Sequence, residues 1–144
     1  MIGASLTLVG SGCATLSLQT SGQALLGIWY SGAAAADTLQ PGDNVILRTS
    51  DGRYVSYFRV CKDKQQSELI ETGRWSLQGN IETMITETVD GVPADSNDEY
   101  YRETYEYDML VGSELTYSSV RVGLVFHERR VDDQTKIPDN VCSK

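Results

Sequence analysis

Few residues of this chain have the type and spacing that acid–base or nucleophilic chemistry needs. The single histidine, His127, lies between Phe126 and Glu128 in an alternating run, so a two-residue period turns its imidazole outward. A catalytic imidazole needs an activated nucleophile and an orienting group in reach. No Gly-x-Ser-x-Gly elbow, phosphate loop or His-Glu-x-x-His pattern occurs. Glu103 and Glu128 could work as an acid–base pair; they are equally explained as charges that pair with Arg130. Asp90, Asp95, Asn97, Asp98 and Glu99 gather oxygen donors within ten residues, but not at the offsets of a calcium loop, so a solvated acidic loop is expected. Cys13, Cys61 and Cys142 show no Cys-x-x-Cys spacing, which disfavours a structural zinc site or a redox pair. The expectation is a protein that is not an enzyme, with no catalytic residue, metal site or cofactor.

Whatever site exists must be positioned by strands. From residue 24 to 131, runs with a two-residue period alternate with tight-turn signals at Ser50-Asp51-Gly52, Gly79-Asn80, Val111-Gly112-Ser113 and Gly123. The runs are 24–31, 44–49, 53–61, 67–78, 81–89, 99–109, 114–119 and 122–131. Eight strands, each followed by its hairpin partner, suit closure into an up-and-down barrel. The fold class expected is therefore all-β: an eight-stranded antiparallel barrel over 24–131, followed by a polar tail, 132–144. With 144 residues, 40% of them hydrophobic, there is material for one domain with a real core. Twenty acids against 12 bases give a net charge of -8, which repels phosphate backbones and anionic membrane surfaces, so nucleic acid is not an expected partner. No apolar run is long enough for a spanning helix.

Period two also assigns faces. The expected inward set is Trp29, Val45, Leu47, Tyr54, Phe58, Leu69, Trp75, Leu77, Ile81, Ile85, Tyr105, Tyr107, Leu115, Tyr117, Leu124 and Phe126. Arg48, Arg53, Arg59, Glu68, Arg74, Glu82, Arg102, Glu106 and Arg121 fall on the opposite faces. The third strand is ambiguous, because Val55 and Tyr57 also want cover, and a slip of one residue would exchange its faces.

Two resemblances attach to these residues. The apolar, small-residue segment 1–12 ending Ser11-Gly12 before Cys13 resembles the end of a bacterial lipoprotein signal, although Gly10 departs from the usual Leu or Val and no basic residue precedes Arg48. A start lying further upstream would account for the missing basic region; the other reading is an ordinary N-terminal segment. The resemblance implies lipid on Cys13, a tether over 13–23 and, with Ala14 next, an outer-membrane protein facing the periplasm of a bacterial envelope. Cys61 and Cys142 would then remain to form a disulfide.

Gly27-Ile28-Trp29 opening the first strand and Arg129-Arg130 closing the last resemble the Gly-x-Trp start and terminal basic residue of lipocalins. The segment Gly73-Arg74-Trp75-Ser76-Leu77-Gln78-Gly79-Asn80 resembles a hairpin of small bacterial lipocalin-like domains. The resemblance implies that a cation stacks on Trp29 at the closed end; parity with Leu124 and Phe126 selects Arg130. It further implies an envelope-anchored binding protein for a small apolar or amphipathic ligand, with Trp29, Tyr54, Phe58, Trp75, Tyr105, Tyr107 and Tyr117 as the ligand-binding residues. Such a carrier needs an open apolar cavity of several hundred Å³. The alternative is an acidic lipoprotein module that binds a basic protein, such as an inhibitor of an envelope-attacking enzyme. That reading expects a filled interior and function on a loop such as 90–99.

Overall fold

A computed structural model describes residues 21–31, 44–62 and 65–134. Cys13, Cys142 and the bond expected between Cys61 and Cys142 lie outside the described residues, as do segment 1–12 and the end of the tail. The elements are a one-turn helix α1 (Gly22–Leu25) and the strands β1 (Gly27–Ser31), β2 (Asn44–Arg48), β3 (Arg53–Lys62), β4 (Gln65–Gln78), β5 (Ile81–Val89), β6 (Val92–Pro93), β7 (Arg102–Val111), β8 (Glu114–Ser119) and β9 (Val125–Val131). A short 3₁₀ turn, Glu99–Tyr101, precedes β7.

All pairings are antiparallel, and the chain pairs β1 with β2 and onward to β5, then β7, β8 and β9. Pairing of β9 with β1, Trp29 opposite Arg130, closes the sheet. The result is the closed eight-stranded barrel, to which two-residue β6 adds a flap on β5. Closure leaves the eight staves without an edge.

The turns form where the glycines fall, but three strands start three residues later than expected. The first strand starts at Gly27 rather than residue 24, because the Ser21 hydroxyl accepts from the Ala24 N–H and caps a helical turn. The strand expected from 99 starts at Arg102, after Asp98 caps the 3₁₀ turn through the Tyr100 N–H. The last strand starts at Val125, because residues 119–124 fold back through bonds from Gly123 N–H to Ser119 O and Ser119 N–H to Leu124 O. Leu124 is consequently exposed, not inward.

In two strands the faces are reversed. In β2, Ile46 and Arg48 are buried in place of Val45 and Leu47; in β5, Glu82, Met84 and Thr86 are buried in place of Ile81 and Ile85. Arg48 and Glu82, expected on the outward face, are therefore core residues. The interior consists of Leu25, Trp29, Ile46, Tyr54, Met84, Tyr107, Leu115 and Tyr117, with Trp75, Leu77, Tyr105, Leu110 and Phe126 packed against them. On the outside, Glu87 bridges Arg53 and Arg74, two like charges that face each other across the β3–β4 ladder. A register shift between Thr72 and Gly73 bends β4 against β5. A Cβ on Gly73 would lie 2.0 Å from the Ile85 carbonyl oxygen and 2.8 Å from the Tyr54 ring, so only glycine lets these strands and that ring come together.

Candidate functional site: a polar cavity above a buried charge cluster

One end of the barrel is sealed. Trp29 is fully buried and its indole N–H donates to the Leu25 carbonyl at 2.9 Å. The Arg130 guanidinium stacks on that indole, 4.4 Å from the ring centroid. Its two Nη atoms donate to the carbonyls of Leu26 and Ala24, each at 2.5 Å. Three successive carbonyls at the end of α1 are thus taken by Trp29 and Arg130, which pins a helix too short to persist alone. Gly27 makes this possible: its φ is +106° and a Cβ there would lie 2.9 Å from Arg130 Nη1. Arg129 points the other way and lies over the Tyr30 ring at 5.2 Å.

Next to the sealed end lies a cluster of charges with almost no solvent contact. The side chains of Arg48, Glu82 and Glu128 are each at most 1% exposed. Arg48 Nε and Nη2 grip both oxygens of Glu82 at 2.9 and 3.2 Å, and Nη1 reaches Glu128 at 3.1 Å. The Tyr107 hydroxyl donates to Glu82 at 2.6 Å and the Tyr117 hydroxyl to Glu128 at 2.9 Å. Burial alone would lower the Arg48 pKa; Glu128 and Glu82 outweigh it and hold the guanidinium charged, with a pKa well above its ordinary value. Burial, reinforced by the neighbouring carboxylates, pushes the phenols of Tyr107 and Tyr117 well above theirs, against the opposing pull of Arg48. Paired and hydrogen-bonded on every side, these ions meet the condition under which buried charge is tolerated.

Beyond the cluster a cavity of about 190 Å³ opens toward the barrel end that carries Asn44, Phe58, Tyr100 and Glu103. Arg48 and Glu128 line it, whereas Trp29 and Tyr107 do not, so the charged layer separates the cavity from the sealed end. One wall is built by β2 to β5. There the Asn44 Nδ2 donates to the Ser56 hydroxyl at 3.2 Å, Ser56 faces Glu71 across the ladder, and Thr86 links Glu71 at 3.5 Å with the Tyr54 hydroxyl at 2.7 Å. The other wall is aromatic. Tyr105 meets Tyr117 edge-on at 5.2 Å, and Tyr117 stacks on Phe126 at 5.2 Å. Burial raises the Glu71 carboxyl above its usual range despite the Thr86 hydroxyl, and raises the Tyr54 phenol to about 12.

Of the aromatic residues expected to bind a ligand, Tyr54, Phe58, Tyr105 and Tyr117 line the cavity. Trp29, Trp75 and Tyr107 do not: Trp29 seals the closed end, Trp75 donates its indole N–H to the Thr49 carbonyl at 3.1 Å, and Tyr107 buttresses the charge cluster. Sequence reasoning missed Asn44, Arg48, Ser56, Glu71 and Thr86. For Ser56 and Glu71 the signal was parity, since in β3 and β4 they share the inward face with Tyr54 and Trp75; Asn44, Arg48 and Thr86 lie on β2 and β5, where the expected parity pointed the other way. Glu103 and Glu128 both line the cavity, but neither pairs with Arg130; Glu103 takes Arg121 and Glu128 takes Arg48. His127 is exposed and its Nδ1 meets the Thr116 hydroxyl.

Among the described residues, no group of three or more His, Cys, Asp or Glu could hold a metal ion, and no helix is long and apolar enough to cross a membrane. No protein-family model matches the chain, and no curated protein matches it significantly.

Proposed function

We propose that this protein is a lipocalin-like binding protein that holds one compact amphipathic ligand in the cavity at the open end of its barrel. The observation that carries the reading is the division of the interior. A sealed end packed on Trp29 and a charge layer on Arg48 leave a pocket with one aromatic wall and one hydrogen-bonding wall. Convergent polar groups on a concave, partly apolar surface are the usual form of a small-molecule site. At about 190 Å³ the pocket is smaller than the roughly 300–1,000 Å³ typical of drug-sized ligands, which favours a compact amphipathic molecule over a large apolar one. The likeness to lipocalins rests on Gly27-x-Trp29, Arg130 and the barrel. Anchoring to a bacterial outer membrane through lipid on Cys13 belongs to the same proposal and rests on Ser11-Gly12-Cys13.

Native mass spectrometry of the protein purified from its own membranes tests both parts. The expected result is a small-molecule adduct lost on denaturation, together with a mass increment at Cys13. An unliganded protein with residues 1–12 intact and Cys13 a free thiol would contradict it.

A further inference from the structure

We infer that the ligand of this cavity is a compact organic cation, an amine whose ammonium group is received by Glu71 and Asn44 and whose body lies against Tyr105 and Tyr117. The inference rests on the reading of the cavity as a ligand site and adds the chemical class.

The unmet hydrogen-bonding capacity on the polar wall is acceptor capacity. Among the described residues, Asn44 Oδ1 is buried without a hydrogen-bond partner. Glu71 receives only the long 3.5 Å contact from the Thr86 hydroxyl, and no described cation pairs with it. Asn44, Ser56 and Glu71 sit on adjacent strands at successive inward positions, so these acceptors converge on one side of the cavity. A ligand that satisfies them must donate.

The charges point the same way. Among the described residues around the cavity and its adjoining cluster, the four carboxylates of Glu71, Glu82, Glu103 and Glu128 outnumber the two guanidiniums of Arg48 and Arg121. Among the described residues, Arg48 is the one cation on the lining that could repel an ammonium group, and its Nε, Nη1 and Nη2 are all committed to Glu82 and Glu128. Glu103 is likewise taken by Arg121, leaving Glu71 as the carboxylate open to a ligand. Aromatic rings attract cations as well, and Tyr105 and Tyr117 line the cavity across the barrel. The net charge of -8 raises the local concentration of cations.

Three probes share a ring and differ in head group: benzylammonium, benzyl alcohol and benzoate. Each is titrated into the full chain and followed by ¹H–¹⁵N NMR, with Glu71→Gln as the variant. We expect saturable shifts with benzylammonium at Asn44, Ser56, Glu71 and Thr86, affinity for benzyl alcohol at least tenfold lower, and no saturation with benzoate. Glu71→Gln keeps the wild-type dispersion and loses at least tenfold in benzylammonium affinity. Equal binding of benzyl alcohol or benzoate at these residues would overturn the cation assignment and leave the pocket reading standing. So would a Glu71→Gln variant that binds benzylammonium unchanged. If none of the probes shifts residues of the cavity, both readings fall.

Discussion

At Arg48 a single guanidinium holds two carboxylates out of water. Removing it strands Glu82 and Glu128 in the interior, and breaking one side of a buried ion pair costs about 3–5 kcal/mol. Arg48→Met is therefore expected to destabilise by that amount in urea unfolding, whereas Glu128→Gln, which leaves the two-point Arg48–Glu82 grip in place, should cost clearly less. The reverse order would mean that Glu128 is the organising charge. Glu71 is the opposite case. Burial, partly offset by Thr86, raises its carboxyl above the usual range. A carboxyl with a raised folded pKa binds more protons folded than unfolded, so stability is lost as pH rises from the unfolded value through the folded one. Glu71→Gln removes that loss. The variant should be no less stable than wild type near pH 7, and its advantage should shrink toward about pH 4, where the unfolded carboxyl also protonates. A parallel pair of stability–pH curves would show that Glu71 is not strained by burial. A residue whose replacement helps the fold and harms binding is the expected signature of a ligand group.

At the scale of elements, the closed end is a joint between α1, β1 and β9. Trp29→Ala should cost about 3–5 kcal/mol as a large core truncation. Arg130→Ala should cost less but free α1, because Arg130 holds the Ala24 and Leu26 carbonyls. Arg129→Ala, whose ring contact is on the other face, should cost least. Urea unfolding of the three variants checks the order, and amide exchange of residues 24–27 checks the release of α1; a neutral Trp29→Ala would refute the joint. The same elements show what was legible in the sequence. Asp51-Gly52, Gly79-Asn80 and Gly112-Ser113 dictate tight turns chemically, so the strand order and much of the pairing followed from local residues. The facing of β2 and β5 did not. Val45, Ile46 and Leu47 are apolar on both parities, as are Ile81, Met84 and Ile85, so the period could not choose a face. The parity that put Val45, Leu47, Ile81 and Ile85 inside then put Arg48 and Glu82 outside. Only their meeting across 34 residues of chain reverses that argument, and no local pattern encodes it. The parity that turns Arg130 inward also turns Glu128 inward; the cluster was half visible there.

At the scale of the whole molecule, the barrel divides its interior by chemistry: an aromatic seal, a charge layer, then a pocket of mixed polar and aromatic lining. The seal and the overall fold were readable because both depend on turns and large side chains. The pocket was not, because its character comes from small polar residues, Asn44, Ser56 and Thr86, whose role depends on which strands become neighbours. Closed-barrel geometry also explains why a chain this short can spare a cavity: closure removes the edges, and the charge layer braces β2, β5 and β9 against one another.

The central claim is that the cavity is the working site. It is tested most directly by filling it. Ser56 is buried with its hydroxyl on the cavity wall, so Ser56→Met occupies the space while the sealed end and the charge layer stay in place. Wild type and variant are purified side by side from native membranes and weighed intact under non-denaturing conditions. The account predicts equal far-UV dichroism for the two proteins, a small-molecule adduct on the wild type and none on the variant. An adduct retained undiminished by a folded Ser56→Met protein, or absent from the wild type, would contradict it.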